Sequence, residues 1–439
     1  MKSTYRLFGL SILLLSSTAG AQTTKSLTLD QAIELGIQES NSVKISGYKK
    51  DLADAKVEQG WNTMIPALSY TGNYTRLSNN IEPFKIAIPG FGDKVLNPQI
   101  LNQYTNKISL QSTVFAGMKG NYALKAIIQQ AAASEADYRK EQADAKLSII
   151  NTYLSLFKLH QSKRIVEENL KLAEQRERDI KNMVDNGMIL ANDLYKARLS
   201  RNSLELSLAE VESSISNLNY SLNVMLGLPE ETLIQTDEAS ALLLADTSGI
   251  SGNLQSASLN RDEVKAQEIR TRALEYQVKS SKGSYFPTLS LGANYYVNNP
   301  NQRMFPQEAK FKDTWDLGAT LSWNFTSLYT TKSYVKEAKA NLEQAKAAKD
   351  QLSDAIKMES KQSWNAWQLA LKKIKLAEFN VEQATENQRV MLNRFNNNAA
   401  LATDLLDADN ALTQAKLNLL NVRADATAAY YKALRTSGK

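Results

Sequence analysis

The sequence predicts a mainly α-helical fold with a membrane β-barrel portion, built from two tandem repeats of strands and long helices. First, all eight prolines lie outside residues 99–228 and 307–439, so very long helices can run through both stretches. Second, four short segments alternate apolar and polar residues, as strands with two different faces do. Third, similar segments recur 211 or 221 positions apart.

The repeat is visible in strands and in helical turns. "IPALSYTGNY", from residue 65, resembles "FPTLSLGANYY", from residue 286, and "LANDLYKA" (190–197) resembles "LATDLLDA" (401–408). A polar break precedes each member of the second pair, at 190–197 and at 401–408. These breaks predict tight turns between antiparallel long helices. The expected units are a first repeat (22–228), a connector (229–258) and a second repeat (259–439). The expected strands are about 66–78, 105–116, 287–298 and 314–326, and the helical turns lie near 183–190 and 394–402.

The helices are predicted to be long and to pack along coiled-coil-like seams. Residues 334–373 are rich in Ala, Lys, Glu, Gln and Leu, and their apolar residues recur at steps of three and four. A helix from about Lys119 to Met183 would be roughly 100 Å long at 1.5 Å per residue. Trp364 and Trp367 fall on the seam, where packing explains them better than a ligand site.

The first 21 residues are expected to be a signal peptide. Lys2 and Arg6 precede a short apolar run, which closes on the small residues Ala19, Gly20 and Ala21. The run is too short for a permanent membrane helix. We therefore expect an exported chain, without a lipid anchor because no cysteine follows the cleavage site.

Composition excludes several classes of function. The chain has no cysteine, so disulfides and thiolate metal sites are excluded. Its net charge of +6 is spread along the sequence, without the basic stripe that nucleic-acid binding requires. The single histidine, His160, offers neither a catalytic triad nor a metal cluster, and residues 87–94 ("AIPGFGDK") lack the ending of a phosphate loop. We expect no enzymatic activity, cofactor or metal.

The segment "TWDLGATLSWNF" predicts a membrane strand. It places Trp315, Leu317, Ala319, Leu321, Trp323 and Phe325 on one face and polar or small residues on the other. Ten strand steps, tilted near 40°, span roughly 25 Å, the height of the apolar band of an outer-membrane barrel. Trp315, Trp323, Phe325 and Tyr295 are the predicted membrane-interface aromatics. One such strand would also suit a soluble sandwich, but four of them beside giant helices favour a barrel.

Four strands per chain imply an oligomer. A membrane barrel needs about eight strands at least, and an open sheet edge in lipid leaves backbone groups without hydrogen bonds. Two copies would give a filled barrel and three would give 12 strands around a lumen. The polar inner faces favour three.

Taken together, these segments resemble the TolC-like outer-membrane efflux family. The resemblance covers essentially the whole mature chain and rests on the duplicated layout, the opening "LTLDQAIELGIQES" (27–40), the strand pair and the turn pair. It implies a homotrimer with a 12-stranded β-barrel in outer-membrane lipid and a 12-helix α-barrel through the periplasm. It also implies two partners, a periplasmic adaptor (membrane fusion) protein and an inner-membrane pump.

The resemblance also implies a pore entrance at the helical turns. Acidic residues ring that entrance in the family, and the matching positions are Asp404 and Asp407, with Asp193 as the repeat partner of Asp404. Since Asp404 and Asp407 are three residues apart on a helix, both carboxylates share one face. The alternative is that Asp404, like Asp193, is a solvated acid that stabilises a helix N-terminus.

The entrance departs from the family at two positions. Where the best-known members carry a tyrosine and an arginine that hold the entrance closed, this chain has Phe395 and Ala400. Neither can form those hydrogen bonds, so the closed state must be held differently or more weakly. Arg394 is a candidate substitute donor.

The predicted function is a passive trimeric outer-membrane channel, the exit duct of a tripartite efflux or type I secretion system. The alternative is a structural or adhesive coiled-coil surface protein without transport function. The alternating strands with polar inner faces favour the duct. The cargo is decided largely by the pump, and the sequence does not name it.

Overall fold

A computed structural model describes residues 24–97, 99–238, 261–397 and 399–438. The predicted signal peptide lies outside the described residues, and so does most of the predicted connector. The described chain is mainly helical. Its seven α-helices are α1 Leu29–Glu39, α2 Asn41–Asn62, α3 Lys119–Asp185, α4 Ala191–Leu226, α5 Asp262–Gly283, α6 Ser327–Asn396 and α7 Ala402–Thr436.

Two helices are exceptionally long. α3 has 67 residues and α6 has 70, so each extends about 100 Å. The predicted seam of α6 is buried at Val335, Ala338 and Ile356. Further along, Trp367 is 2% exposed and packs against Tyr430 of α7. These contacts hold α6 and α7 together as a hairpin, and α3 and α4 form the matching hairpin of the first repeat.

Eight strands occur in the described residues. They are β1 Thr24–Leu27, β2 Ala67–Arg76, β3 Phe84–Ile88, β4 Gly92–Asn97, β5 Asn102–Ala116, β6 Leu233–Thr236, β7 Thr288–Asn299 and β8 Lys312–Ser322. Four of these strands form one antiparallel sheet in the order β2–β5–β7–β8, with β2 and β8 at its edges.

The register gives the sheet two different faces. Residues paired across the four strands share a face, and two adjacent apolar rows lie on the same one. The first row is Leu68, Leu110, Ala293 and Leu317, and the second is Tyr70, Ile108, Tyr295 and Trp315. Trp315 and Leu317 are each 74% exposed. Such large exposed apolar rows are typical of a lipid-facing surface.

The last strand ends earlier than the alternation predicts. β8 ends at Ser322, so Trp323 and Phe325 lie beyond the strand and do not continue its face. Asn324 is the reason: its side chain accepts from the Thr326 N–H at 3.0 Å and starts the turn into α6. The two rings pack together, with centroids 4.8 Å apart. The interval from Trp315 to Phe325 is therefore not ten strand steps.

Two small sheets were not predicted. β3 and β4 form a hairpin in the connection between β2 and β5, at the end of the sheet away from the helices. β1 and β6 pair in parallel beside the middle of α3. There the Tyr153 hydroxyl donates to the Leu27 carbonyl at 2.7 Å and accepts from the Asp237 N–H at 2.9 Å. Tyr153 thus ties the start of the first repeat and the first part of the connector to α3.

The helices continue the order of the strands. α2, α3, α5 and α6 are neighbours in that sequence, as are the strands to which each is joined. At the junction Gly117 has a φ of +60° and faces Gly283, the last residue of α5. A Cβ on Gly283 would lie 2.8 Å from the Gly117 carbonyl oxygen. Glycine at both positions lets the strand-to-helix turn approach α5 this closely.

Candidate functional site

The ends of the two helical hairpins, at the opposite end of the long helices from the sheet, form the candidate site. In the first turn the Met188 N–H donates to the Met183 carbonyl at 2.8 Å, and in the second the Ala399 N–H donates to the Arg394 carbonyl at 2.7 Å. Each bond closes the C-terminus of a long helix in the same way, 211 residues apart. Gly187, at a φ of +70°, permits the first turn.

A shared apolar core joins the two turns. Ile180 and Leu405 are fully buried, and Phe395 is 5% exposed among them. Leu194, Ala197, Ala402 and Leu406 complete the cluster from α4 and α7. Phe395 therefore packs in the core of the tip instead of offering a polar group. Ala400 is half-buried in the second turn.

Asp404 acts first as a helix cap. Its carboxylate accepts from the Leu401 N–H at 3.3 Å at the start of α7, and the side chain is exposed. Asp407 is exposed one turn further on. Asp193 occupies the corresponding position of α4, where it is half-buried and forms no side-chain cap within the described residues. Asp404 lies in the first turn of α7, as the alternative interpretation expects, and its bond to the Leu401 N–H is a cap that was not predicted.

Exposed side chains surround the turns. Arg394 is exposed, and within the described part of the chain its side chain forms no ion pair. Leu190 and Leu401, the residues that precede α4 and α7, are 74% and 70% exposed, and Met188 beside them is also exposed. The end of the molecule therefore presents apolar groups as well as carboxylates.

A buried ion pair above the tip escaped the sequence analysis. The Arg176 guanidinium of α3 lies 3.1 Å from the Asp409 carboxylate of α7, and both side chains are about nine-tenths buried. The Gln388 amide of α6 donates to the other Asp409 oxygen at 2.9 Å. The sequence does contain a signal for this pair. Asp409 follows Leu405 and Leu406 at helical spacing, which places it on the buried side of α7. A carboxylate in such a position requires a partner.

The predicted membrane aromatics are far from this tip, on the sheet. Trp315 and Tyr295 are neighbours in one exposed row, whereas Trp323 and Phe325 lie at the helix-side end of the sheet. The Trp323 indole donates to the Tyr285 carbonyl at 3.2 Å, which fixes the ring at the end of β8. No helix in the described residues is sufficiently long and apolar to cross a membrane.

The family of the chain follows from its sequence. A family model described as "Outer membrane efflux protein" matches residues 33–228 and 253–437. The chain belongs to this family. Members of the family are outer-membrane channels, so this outer membrane efflux protein is placed in the outer membrane with its helices in the periplasm. A comparison with curated proteins finds no match.

Solved structures share the fold of this outer membrane efflux protein. The outer membrane protein VceC from Vibrio cholerae is 19% identical and has a TM-score of 0.78, over 93% of this chain and 96% of that chain. CusC is 14% identical, with a TM-score of 0.79 over 97% and 95%. The open MtrE outer membrane channel of Neisseria gonorrhoeae is 13% identical, with a TM-score of 0.77 over 94% and 89%. At such low sequence identities, the structural similarity establishes the fold of this chain and nothing beyond the fold.

Proposed function

We propose that three copies of this chain close a 12-stranded barrel in the outer membrane, continued by a 12-helix tunnel. The channel would be the passive exit duct of a tripartite efflux or type I secretion system. The observation that carries the proposal is the open four-stranded sheet, whose edge strands β2 and β8 find no partner within the described chain. Unpaired backbone groups at both edges are untenable in lipid, and copies of the same sheet supply the missing strands.

The strand directions suit this closure. β2 leaves the helices and β8 returns to them, so β8 of one copy would run antiparallel to β2 of the next. The alternation then continues around the ring without a parallel pair. With the apolar rows facing lipid, the polar face, which includes Ser69, Ser109, Asn294 and Asp316, lines a lumen.

The tip supports a role in docking and entry. Leu190 and Leu401 repeat the same exposed apolar group on both hairpins, and such exposed groups are typical of a protein-binding surface. We assign this surface to the periplasmic adaptor, which would connect the channel to an inner-membrane pump. Asp404 and Asp407 on each of three copies would place six carboxylates at the entrance, an arrangement that attracts cations.

Two measurements on the purified protein test the proposal. Mass determination in detergent should give a trimer, and a planar lipid bilayer should show stable single-channel steps. A folded chain that stays monomeric, or a trimer that never conducts even after its tip turns are loosened by mutation, would contradict the proposed duct.

The acidic entrance has a separate test. Asp404→Asn with Asp407→Asn should weaken block by a trivalent cation added on the tip side, while the trimer persists. Asparagine keeps an oxygen for the Leu401 N–H, so the cap of α7 is retained, which alanine would remove. Asp425→Asn, an exposed change on the same helix far from the turn, is the matched control. Unchanged block in the double variant would refute the ring.

A further inference from the structure

The connection between β7 and β8 folds back onto the polar face of the sheet. Asn301 is 2% exposed; its amide donates to the Lys312 carbonyl at 3.0 Å and its oxygen accepts from the Arg303 N–H at 3.0 Å. The Arg303 guanidinium then reaches Asp316, a residue of β8, with Nη2 2.6 Å from Oδ2. A loop residue is thereby fixed over the strands.

Asp316 is held from both sides. Its other oxygen, Oδ1, accepts from the Asn294 amide at 2.6 Å, and the Asn294 oxygen accepts from the Ser109 hydroxyl at 2.6 Å. The register pairs these three strand residues directly, so they form one polar row across β5, β7 and β8. The carboxylate is thus a fixed anchor for Arg303.

The next row outward is cationic. Tyr296 lies between two cations: the Arg303 guanidinium is 4.3 Å from its ring centroid and the Lys107 ammonium is 5.7 Å from it. Contacts of this kind attract a cation to an aromatic face. The two cations Lys107 and Arg303 and the carboxylate of Asp316 sum to one net positive charge per chain, and therefore to three in a trimer. Lys312, nearby, is paired with Glu308 at 3.1 Å.

The row on the helix side of Asp316 has a glycine or an alanine at three of its four positions. Gly292 faces Gly318 across β7 and β8, and Ala67 and Gln111 complete the row. A Cβ on either glycine would meet nothing within 4 Å. A lumen lined by these rows is therefore wide at the glycines and narrows, two rows further out, at Tyr296 and Arg303.

We propose that Lys107 and Arg303 form a cationic constriction at the outer end of the lumen, which binds anions and selects the ions that pass the exit. The inference rests on the proposed trimeric barrel. A ring of charged side chains at a narrow point of a pore selects which ions pass through it. The exit would then oppose, in sign, the acidic entrance at the other end of the duct, and Asp316 would act as the positioning residue for Arg303.

The test is block of single channels by inorganic pyrophosphate added on the side of the loops. The direction of insertion is read from the trivalent-cation block, which acts from the tip. One charge at about 7 Å in water changes the local concentration of a monovalent ion about threefold. Lys107→Gln with Arg303→Gln should therefore weaken block by an order of magnitude or more, whereas Arg303→Lys should keep most of it.

Two further variants guard against a trivial result. Lys310→Gln removes a positive charge from an exposed position of the same loop and should leave block unchanged. Asp316→Asn removes the negative charge but keeps an amide oxygen that accepts from Arg303, so it should tighten block at least threefold, an outcome that a misfolded lumen would not give. Unchanged block in the Lys107 and Arg303 double variant would overturn the constriction while leaving the pore intact. A parent trimer that gave no channels would overturn the duct, and the constriction with it.

Discussion

Glu263 is predicted to make the stability of the second repeat depend on acid pH. It lies in the first turn of α5, where its side chain is 12% exposed. Its carboxylate lies 2.8 Å from the Arg261 guanidinium and 2.6 Å from that of Arg435, at the end of α7. Arg435 also binds Asp144 of α3 at 2.7 Å. The Arg435 guanidinium therefore joins α7 to both α5 and α3, and the Glu263 carboxylate is its partner in α5.

The magnitude follows from the pKa of Glu263. Burial works against the charge, but hydrogen bonds from Arg261 and Arg435 outweigh it and lower the pKa from the ordinary 4.5 to about 2. That difference is worth about 3 kcal/mol of folding free energy at neutral pH. Because the folded-state value is the lower one, the stabilisation is complete above pH 4.5 and is lost as the pH falls through 2. At pH 3, about 1.4 kcal/mol remains.

The perturbation is Glu263→Gln, assayed by urea unfolding of the detergent-solubilised protein with far-ultraviolet circular dichroism. Compared with the parent, the variant should be less stable by about 3 kcal/mol at pH 7, and the gap should close towards pH 2. Glu386→Gln is the control, because Glu386 pairs with Arg389 in an exposed position where ion pairs contribute little. A gap of the same size at pH 7 and pH 3 would refute the reasoning.

Two further predictions concern the tip and the junction. Asp409→Leu leaves Arg176 buried and unpaired, at a cost of about 3–5 kcal/mol, and should speed limited tryptic cleavage of the hairpin ends. Adding Arg176→Met should restore resistance, and failure to do so would show that the ion pair is not the cause. Gly117→Ala should lower the thermal midpoint, since φ is +60° and the Gly283 carbonyl blocks the Cβ. Gly120→Ala, where a Cβ meets nothing, should not lower it.

Periodicity accounts for what the sequence predicts well. Helices as long as α3 and α6 repeat the same spacing of apolar residues over many turns, so a few residues that break the pattern do not hide the helix. Alternation likewise locates β7, because its apolar and polar faces differ along 12 residues. The end of β8 is less visible, since Trp323 and Phe325 keep the alternation going after Asn324 has turned the backbone.

Non-local pairing accounts for what the sequence hides. β1 and β6 have four residues each, so neither is long enough to show an alternating pattern. They also lie more than 200 positions apart, so the sequence does not show that they pair. The contact between Arg176 and Asp409 likewise depends on how two hairpins dock. The capping bond of Asp404 joins residues only three apart, but only the position of Asp404 at a helix N-terminus was predicted, and the bond itself was not.

The repeat itself provides a test of which hairpin lines the entrance. The two turns are closed by equivalent backbone hydrogen bonds, but their side chains differ. Asp407 and Asp409 correspond to Lys196 and Arg198 in the first repeat. If both hairpins faced the mouth equally, the exposed Lys196 would offset Asp407, and the negative charge of the ring would come from the matched pair Asp193 and Asp404. The effect of Lys196 on cation block therefore distinguishes the two arrangements.

Single-channel block by a trivalent cation can decide this arrangement. With the second hairpin inside, Asp407→Asn should weaken block and Lys196→Gln should leave it nearly unchanged. With both hairpins at the mouth, Lys196→Gln should strengthen block about as much as Asp407→Asn weakens it, because each change moves the local charge by one unit in opposite directions. The ratio of the two effects thus measures how far the first hairpin lies from the ion path.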